Sequence, residues 1–218
     1  MSEIDPILVP PPAVRIGDEA PDFTARTTEG VVTLSDFRGR WLVFFTHPGD
    51  FTPVCTSEFV AIANAWPQFQ ALDCALLGHS VDSLFSHISW VRTIRDELGV
   101  TIPFPIVEDP TLAIAREYGM VSAEPDTAST VRAVYFIDPL GCVRAISWYP
   151  LEVGRSVEEM LRVVAALQRT ADGSVLAPAG WKPGNRVLAQ PQLQASSALE
   201  AQSATSWFYH EIEEEGGR

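Results

Sequence analysis

Basic residues are scarce in this chain of 218 residues. Lysine and arginine together number 15, against 28 aspartates and glutamates, so the net charge is −13 near neutral pH. A chain without a basic stretch cannot neutralise a run of phosphates, which disfavours nucleic acid and anionic membranes as partners. Apolar runs are short as well, and none approaches the roughly 20 residues that span a bilayer. We therefore expect neither a nucleic-acid-binding protein nor a membrane-embedded one.

Cysteine is rare too. The three cysteines, Cys55, Cys74 and Cys142, are an odd number at wide spacing, which does not suggest a disulfide framework and suits a reducing compartment. The absence of a CxxC pair disfavours a thioredoxin-like disulfide reductase. The N-terminal start, MSEIDPILVPPP, lacks the basic and apolar segments of a secretory signal. Together these features predict a cytoplasmic location.

Motifs for cofactors are also missing. Neither a glycine-rich phosphate loop nor a haem-attachment motif occurs. His79, His87 and His210 have no ligand-like spacing with cysteines or carboxylates. We expect no cofactor and no metal site.

The most informative segment of the chain is a strand followed by a helix start. The run WLVFFT (Trp41–Thr46) is short, apolar and rich in β-favouring residues, as in a buried strand. Thr52 is then a good N-cap and Pro53 suits the first helical position, so Cys55 falls in the first turn. Apolar residues continue at helical spacing as far as Phe69. The pattern predicts one amphipathic helix that begins with a cysteine.

The position of Cys55 allows two interpretations. Free amide N–H groups and the positive end of the helix dipole surround a sulfur in the first turn, and both favour the thiolate, which is the nucleophilic form. Alternatively, Cys55 is a small buried hydrophobe. Position alone leaves both interpretations open.

The segment HPGDFTPVCTSEF (His47–Phe59) closely resembles the active-site signature of the peroxiredoxins, which reads proline, three residues, threonine, two residues, cysteine. Other matches occur downstream in VRAVYFID and YPLEVGR, so the resemblance extends over about half of the chain. The matching positions are Pro48, Thr52, Cys55, Glu58, Arg132 and Arg155. The layout of the C-terminal part resembles the one-cysteine, peroxiredoxin-6-like class of this thiol-specific antioxidant family.

The resemblance implies a thiol-dependent peroxidase and a role for each matching residue. Cys55 would attack the peroxide, and Arg132 would stabilise both the thiolate and the polarised peroxide. Thr52 would cap the helix and accept a hydrogen bond from the peroxide; capping alone is the alternative. Pro48 would form the pocket wall. His47 is a candidate for peroxide binding, although a histidine at a strand end commonly satisfies a backbone group.

Glu58 and Arg155 are predicted to orient Arg132. The alternative for these two residues is a surface salt bridge that contributes little. Hydrogen peroxide and small organic hydroperoxides are equivalent as substrates at this level.

Strands and helices alternate along the chain, which predicts a mixed β-sheet with helices on both faces. The turn Asp138-Pro139-Leu140-Gly141 predicts an antiparallel hairpin. The resemblance sharpens this α/β class to the thioredoxin-like fold. Predicted strands are Trp41–Thr46, Ala75–Val81, Pro105–Val107, Val131–Ile137 and Val143–Trp148, with helices after the first, second, third and last.

A final periodic helix is predicted over Ser156–Gln168, so the peroxidase domain is expected to cover residues 13–170. Residues 171–218 form a C-terminal extension with an apolar cluster at 207–209. By resemblance, this extension packs on a partner subunit at a dimer interface; the alternative is that it folds back on its own domain. A homodimer is therefore expected, and a decameric ring is left open.

Oxidation turns Cys55 into a sulfenic acid, which a second thiol must reduce. Cys74 is predicted to be a buried hydrophobe, Cys142 follows the hairpin turn, and no cysteine lies beyond it. This predicts a one-cysteine mechanism with an external thiol such as glutathione, thioredoxin or a small reductant. A hypothesis of another class is an oligomeric peroxide sensor or holdase that Cys55 oxidation switches.

Overall fold

A computed structural model describes residues 14–121, 130–201, 203 and 205–213. The predicted non-secretory start, MSEIDPILVPPP, lies outside the described residues. The described chain divides into two compact units, one up to Val157 and one from Glu158. The predicted domain limit at residue 170 would assign one more helix to the first part, and it stays a prediction.

Seven strands of the first unit form one mixed sheet. Their bounds are β1 (Thr24–Thr27), β2 (Gly30–Thr33), β3 (Trp41–Thr46), β4 (Cys74–Ser80), β5 (Ile106–Glu108), β6 (Arg132–Ile137) and β7 (Val143–Tyr149). They lie in the order β2-β1-β5-β4-β3-β6-β7. The β3–β4 and β4–β5 pairs are parallel, and the other pairs are antiparallel. The predicted mixed sheet and the hairpin at residues 138–141 are confirmed.

The helices of this unit follow the predicted strands. They are α1 (Pro53–Asn64), α2 (Trp66–Ala71), α3 (Leu84–Leu98) and α4 (Ala113–Glu117), and a 3₁₀ turn covers Leu34–Phe37. The prediction of one helix through Phe69 is wrong, because α1 ends before Ala65 and a new helix starts at Trp66. Pro67 lies in the first turn of α2, where a missing N–H is tolerated; inside a continuous helix its ring would clash with the preceding turn.

Aromatic side chains cover both faces of the sheet. Because neighbouring residues of a strand point to opposite faces, Phe44 and Phe45 of β3 enter two different clusters. Phe44 packs against Tyr118 at 5.1 Å between ring centroids, on one face. Phe45 packs against Phe59 of α1 at 5.6 Å, on the other. This burial of both faces explains why β3 is apolar from Trp41 to Phe45.

The second unit is built from short elements. After α5 (Val157–Arg169), which lies within a residue of the predicted helix, come β8 (Val175–Leu176), β9 (Val187–Ala189), α6 (Ala195–Leu199) and β10 (Glu211–Ile212). The three strands form a small antiparallel sheet in the order β10-β9-β8. Among the described residues, no helix combines the length and the hydrophobicity that crossing a bilayer requires.

Candidate active site

Cys55 lies in the first turn of α1, just after the loop that leaves the carboxyl end of β3. Its side chain is fully buried. Arg132 donates a hydrogen bond from Nη1 to the sulfur at 3.2 Å. A fixed positive charge at this distance stabilises a thiolate relative to a thiol. The contact with a buried cation distinguishes Cys55 from a cysteine that packs only among apolar side chains.

The sheet topology brings Arg132 to Cys55. Arg132 is the first residue of β6, and β6 runs antiparallel to β3. The start of β6 consequently lies beside the end of β3, with Phe45 opposite Val134. The carbonyl of Leu151 accepts hydrogen bonds from Arg132 Nε at 3.0 Å and Nη2 at 2.7 Å. These contacts fix the guanidinium with Nη1 directed toward the sulfur.

Glu58 joins the two arginines. One of its oxygens accepts from Arg132 Nη1 at 2.7 Å and from Arg155 Nη2 at 2.8 Å. The other accepts from Arg155 Nε at 2.8 Å and from the Arg155 backbone amide at 2.7 Å. Arg155 also donates to the carbonyls of Thr46 and Ala133. All three side chains are buried, so the alternative of a surface salt bridge is wrong.

The charges in this cluster do not balance without the sulfur. Burial alone would raise the pKa of Glu58, but the hydrogen bonds and charge of Arg155, with Arg132, outweigh burial and hold that pKa below its ordinary value. Glu58 is thus an anion between two buried cations, which leaves one positive charge uncompensated. A Cys55 thiolate makes the group neutral. Unbalanced buried charge is costly, and Arg132, which contacts Cys55 Sγ, is one of the two cations that share Glu58.

Thr52 occupies the predicted N-cap position of α1, but its side chain does not cap the helix. The hydroxyl donates to the carbonyl of Gly49 at 2.9 Å instead, so the predicted capping hydrogen bond is wrong. This geometry leaves the oxygen lone pairs of Thr52 available to accept a hydrogen bond. The preceding residue, Phe51, has a positive φ of 58°, an unfavourable conformation for a large side chain. Pro48 is partly buried in the same loop.

His47 belongs to a second buried group that sequence spacing did not reveal. Its Nε2 lies 2.8 Å from Asp50 Oδ1, and His87 Nδ1 lies 2.9 Å from Asp50 Oδ2. The three side chains offer potential metal-ligand atoms within 4.8 Å of one another. These separations are hydrogen-bond lengths, so protons account for the contacts. Asp50 falls in the recognised motif, but nothing in the spacing of His87 linked it to the site.

The other two cysteines lie far from Cys55 in the folded chain. Cys74 begins β4 and pairs with Trp41 at the start of β3, whereas Cys55 follows the end of β3. Cys142 directly precedes β7, beyond the end of β6 that is remote from Arg132. Five strand residues span about 17 Å, and a disulfide needs Cα atoms within about 7 Å. Neither cysteine can reach Cys55 without large rearrangement.

Comparison with known proteins identifies the family of this chain. The model of the AhpC/TSA family matches residues 16–146. A peroxiredoxin of Thermoplasma volcanium is 43% identical over 198 residues, which are 89% of this chain and 97% of that protein. A peroxiredoxin 2 of Caldanaerobacter subterraneus subsp. tengcongensis is 46% identical over 200 residues, 89% of this chain and 90% of that protein.

Solved structures of peroxiredoxins share the fold. A yeast mitochondrial 1-Cys peroxiredoxin has a TM-score of 0.83 at 34% identity, covering 92% of this chain and all of that one. A mutant of the peroxiredoxin 6 of Arenicola marina has a TM-score of 0.78 at 33% identity, covering 86% and 89%. A reduced 2-Cys peroxiredoxin of Plasmodium vivax has a TM-score of 0.75 at 30% identity, covering 85% and 98%. With its thioredoxin-like fold and a cysteine, threonine and arginine in the matching order, the chain belongs to the AhpC/TSA family and is a peroxiredoxin, a thiol-dependent peroxidase.

Proposed function

We propose that this peroxiredoxin works by a one-cysteine mechanism in which Cys55 alone supplies the redox-active sulfur. The Cys55 thiolate attacks one oxygen of ROOH, the O–O bond breaks, and a proton joins the departing oxygen to give ROH and Cys55–SOH. An external thiol then forms a mixed disulfide with Cys55 and releases water. A second thiol reduces this disulfide and regenerates Cys55.

The sheet register is the observation that carries the one-cysteine mechanism. It supports Cys55 as the single thiol, among the described residues, at the end of the sheet where β3 and β4 finish. Cys74 and Cys142 lie at the opposite end of the strands. Cys74 is also a poor thiolate, because burial raises its pKa to about 12. Neither thiol is suited to resolve the sulfenic acid of its own chain.

The roles of the neighbouring side chains follow from their hydrogen bonds. Arg132 stabilises the thiolate and the charge that develops on the peroxide oxygens. Thr52 accepts a hydrogen bond from the peroxide, since its own proton is committed to Gly49. Glu58 and Arg155 orient Arg132, Pro48 shapes the pocket, and His47 contributes to peroxide binding.

The electron donor is proposed to be a small or protein thiol such as glutathione or thioredoxin. The yeast 1-Cys neighbour was solved in work on thiol resolution through glutathione and thioredoxin systems, which supports this class of donor. A cytosolic location would supply such thiols and stays a prediction.

We also propose that the extension packs on a second copy of the chain. Its described part exposes an apolar set comprising Leu193, Leu199, Trp207, Phe208 and Tyr209. Exposed apolar residues at this density are typical of an interaction surface. Sedimentation of the protein and of a Trp207→Ser, Phe208→Ser variant should show a dimer or larger assembly that the variant weakens. A monomeric parent protein would contradict the interface.

The mechanism is tested by trapping the oxidised sulfur. Reduced protein is mixed with one equivalent of hydrogen peroxide and then with dimedone, and mass spectrometry locates the adduct beside a Cys55→Ser control. We expect an adduct on Cys55 within seconds and none in the control. A rapid disulfide from Cys55 to Cys74 or Cys142 would contradict the one-cysteine mechanism. Stoichiometric oxidation without turnover on adding glutathione or thioredoxin would favour a sensor.

A further inference from the structure

The group formed by His47, Asp50 and His87 is buried and has defined proton positions. Both histidines are fully buried, and the Asp50 side chain is 1% exposed. His47 and Asp50 lie in the loop before Cys55, whereas His87 comes from α3. Their hydrogen-bond partners determine which nitrogens carry protons.

Both ring nitrogens of His87 face hydrogen-bond acceptors. Its Nε2 lies 3.2 Å from the carbonyl of Val107, and a carbonyl can only accept. Its Nδ1 lies 3.1 Å and 2.9 Å from the two oxygens of Asp50. Burial alone would raise the pKa of Asp50, but the hydrogen bonds from His47 and His87 outweigh it and keep that pKa below its ordinary value. An ionised Asp50 only accepts, so both ring contacts of His87 call for an N–H donor.

His47 has the complementary state. Its Nε2 donates to Asp50 Oδ1 at 2.8 Å, whereas its Nδ1 is buried without a hydrogen-bond partner among the described residues. A proton on that Nδ1 would be a buried donor with no acceptor, which costs free energy. Burial lowers the pKa of His47, although Asp50 opposes this effect. His47 is therefore a neutral imidazole with an open lone pair on Nδ1.

The imidazole of His47 packs against α1, the helix that carries Cys55. Its ring centroid lies 4.8 Å from that of Phe59, which follows Cys55 by one helical turn on the same buried face. On another side it lies 5.1 Å from Trp90, and Trp90 Nε1 donates to Thr56 Oγ1 at 3.3 Å. Thr56 is the next residue after Cys55. The ring is thus held between α1 and α3. His47 directly precedes Pro48 of the active-site loop.

We propose that Asp50 and His87 are positioning residues for the peroxidase reaction, which hold His47 as a neutral imidazole with Nδ1 free to accept a hydrogen bond from the bound peroxide. The inference rests on the proposed function, in which peroxide binds beside Cys55. Hydrogen peroxide has two O–H groups, and Thr52 Oγ1 offers an acceptor for one of them. His47 Nδ1 is the acceptor for the second. The Asp50–His87 pair keeps that nitrogen unprotonated.

Other charged groups near the pair belong to neighbouring segments. Asp82 accepts from the Asp50 amide at 3.0 Å, and its charge acts on His47. The carboxylate of Glu108 accepts from the Leu84 amide at 2.8 Å at the start of α3. His79 is paired with Asp109 at 3.3 Å. This last pair has the same chemistry without contacting the His47 ring, so it offers a matched control.

Nitrogen NMR of protein labelled with ¹⁵N-histidine tests the proton positions without reference to activity. The chain has four histidines, and His→Gln variants assign their signals. We expect His87 to have both nitrogens protonated near neutral pH, and His47 to be protonated at Nε2 alone. A neutral His87, or a proton on His47 Nδ1, overturns the proposal even if the dimedone experiment succeeds. A failed dimedone experiment with the expected NMR spectrum would instead fault the proposed function.

Kinetics then test the positioning. Asp50→Asn should leave His87 neutral and allow both tautomers of His47. We expect it to lower kcat/KM for hydrogen peroxide at least 10-fold and to add a histidine titration to the pH profile of kcat/KM. His87→Gln keeps a donor toward Asp50 and should lose less. Asp109→Asn, the control, should alter the His79 signals and leave kcat/KM within about twofold. An Asp50→Asn enzyme with the parent kcat/KM and pH profile would overturn the proposal; should it not fold, the parent spectrum and His87→Gln decide.

Discussion

Cys55 and Cys74 are both buried cysteines at strand ends of the same sheet, and their chemistry is opposite. Cys74 begins β4, and its sulfur lies 3.5 Å from the carbonyl oxygen of Ala75. Burial outweighs a hydrogen bond to the backbone of Val43 and the charge of Arg40, and it raises the pKa of Cys74 to about 12. Cys55 lies at the opposite end of the strands, beside Arg132 and in the first turn of a helix. Burial does not by itself decide the reactivity of a thiol; the charges buried with it do.

Replacing Cys55 should have the largest effect. Cys55→Ser should reduce hydrogen peroxide consumption, with dithiothreitol as donor, to the rate of the buffer, because serine is not ionised at neutral pH and cannot form a sulfenic acid. Cys74→Ser in the same assay is the matched control. Residual turnover in the Cys55→Ser protein would mean that another thiol reacts with peroxide.

Removing the cation beside the sulfur should come next. Arg132→Met keeps much of the side-chain volume but removes the charge and the donor to Sγ, and a loss of about 10²–10³-fold in kcat/KM is expected. Arg144, an exposed arginine of the neighbouring strand β7, provides the control as Arg144→Met. Equal effects of the two replacements would show that general charge, rather than the contact with Cys55, matters.

Glu58 should make folding stability sensitive to acid. Its pKa is depressed in the folded protein below the ordinary 4.5, so its contribution is present above about pH 4.5 and is lost as pH falls through the folded value. Glu58→Gln should cost about 3–5 kcal/mol at neutral pH, because it leaves two buried arginines underpaired. In urea unfolding, the variant should lose less stability than the parent between about pH 5 and 3. If the free energies of unfolding of the parent and of Glu58→Gln changed with pH in parallel, this role would be contradicted. Glu159→Gln, at an exposed glutamate, is the control.

The smallest effect is expected for Cys74 and Cys142, at the end of the strands remote from Cys55. Replacing Cys74 and Cys142 together with serine should leave peroxide consumption nearly intact. In the native protein at pH 8, a thiol with the pKa of Cys74 is ionised to about one part in 10⁴, so iodoacetamide should label Cys74 only after unfolding. A large loss of activity in the double variant would contradict the one-cysteine mechanism.

Local patterns predicted the elements well where one residue type dominates. The apolar run of β3 was predicted with its observed bounds, and the helix carrying Cys55 was found from its N-terminal residues. Apolar spacing does not predict the break at Ala65, because it continues across the break, and Pro67 alone marks the start of the new helix. The β1–β2 hairpin on the sheet edge was missed as well, since its strands of four residues are too short for a clear period.

The site itself was predicted only through the resemblance. Residues such as Arg132 and Arg155 are far from Cys55 in sequence, and nothing in composition or spacing shows that the antiparallel pairing of β3 with β6 joins them. The hydroxyl of Thr52 was expected to cap the helix, yet the Gly49 carbonyl competes for it. Asp50 and His87 became visible only through the packing of α3 beside the active-site loop.

The hydrogen bonds of Glu58 also have a consequence for folding. Glu58 contacts residues that are 74 and 97 positions further along the chain, so the charge cluster requires closure of long loops. Such contacts form slowly and late compared with single helices and hairpins. During refolding, peroxidase activity should therefore return after helical content does. The active site is in this sense a reporter of completed folding, and recovered turnover measures the fraction of chains that have finished it.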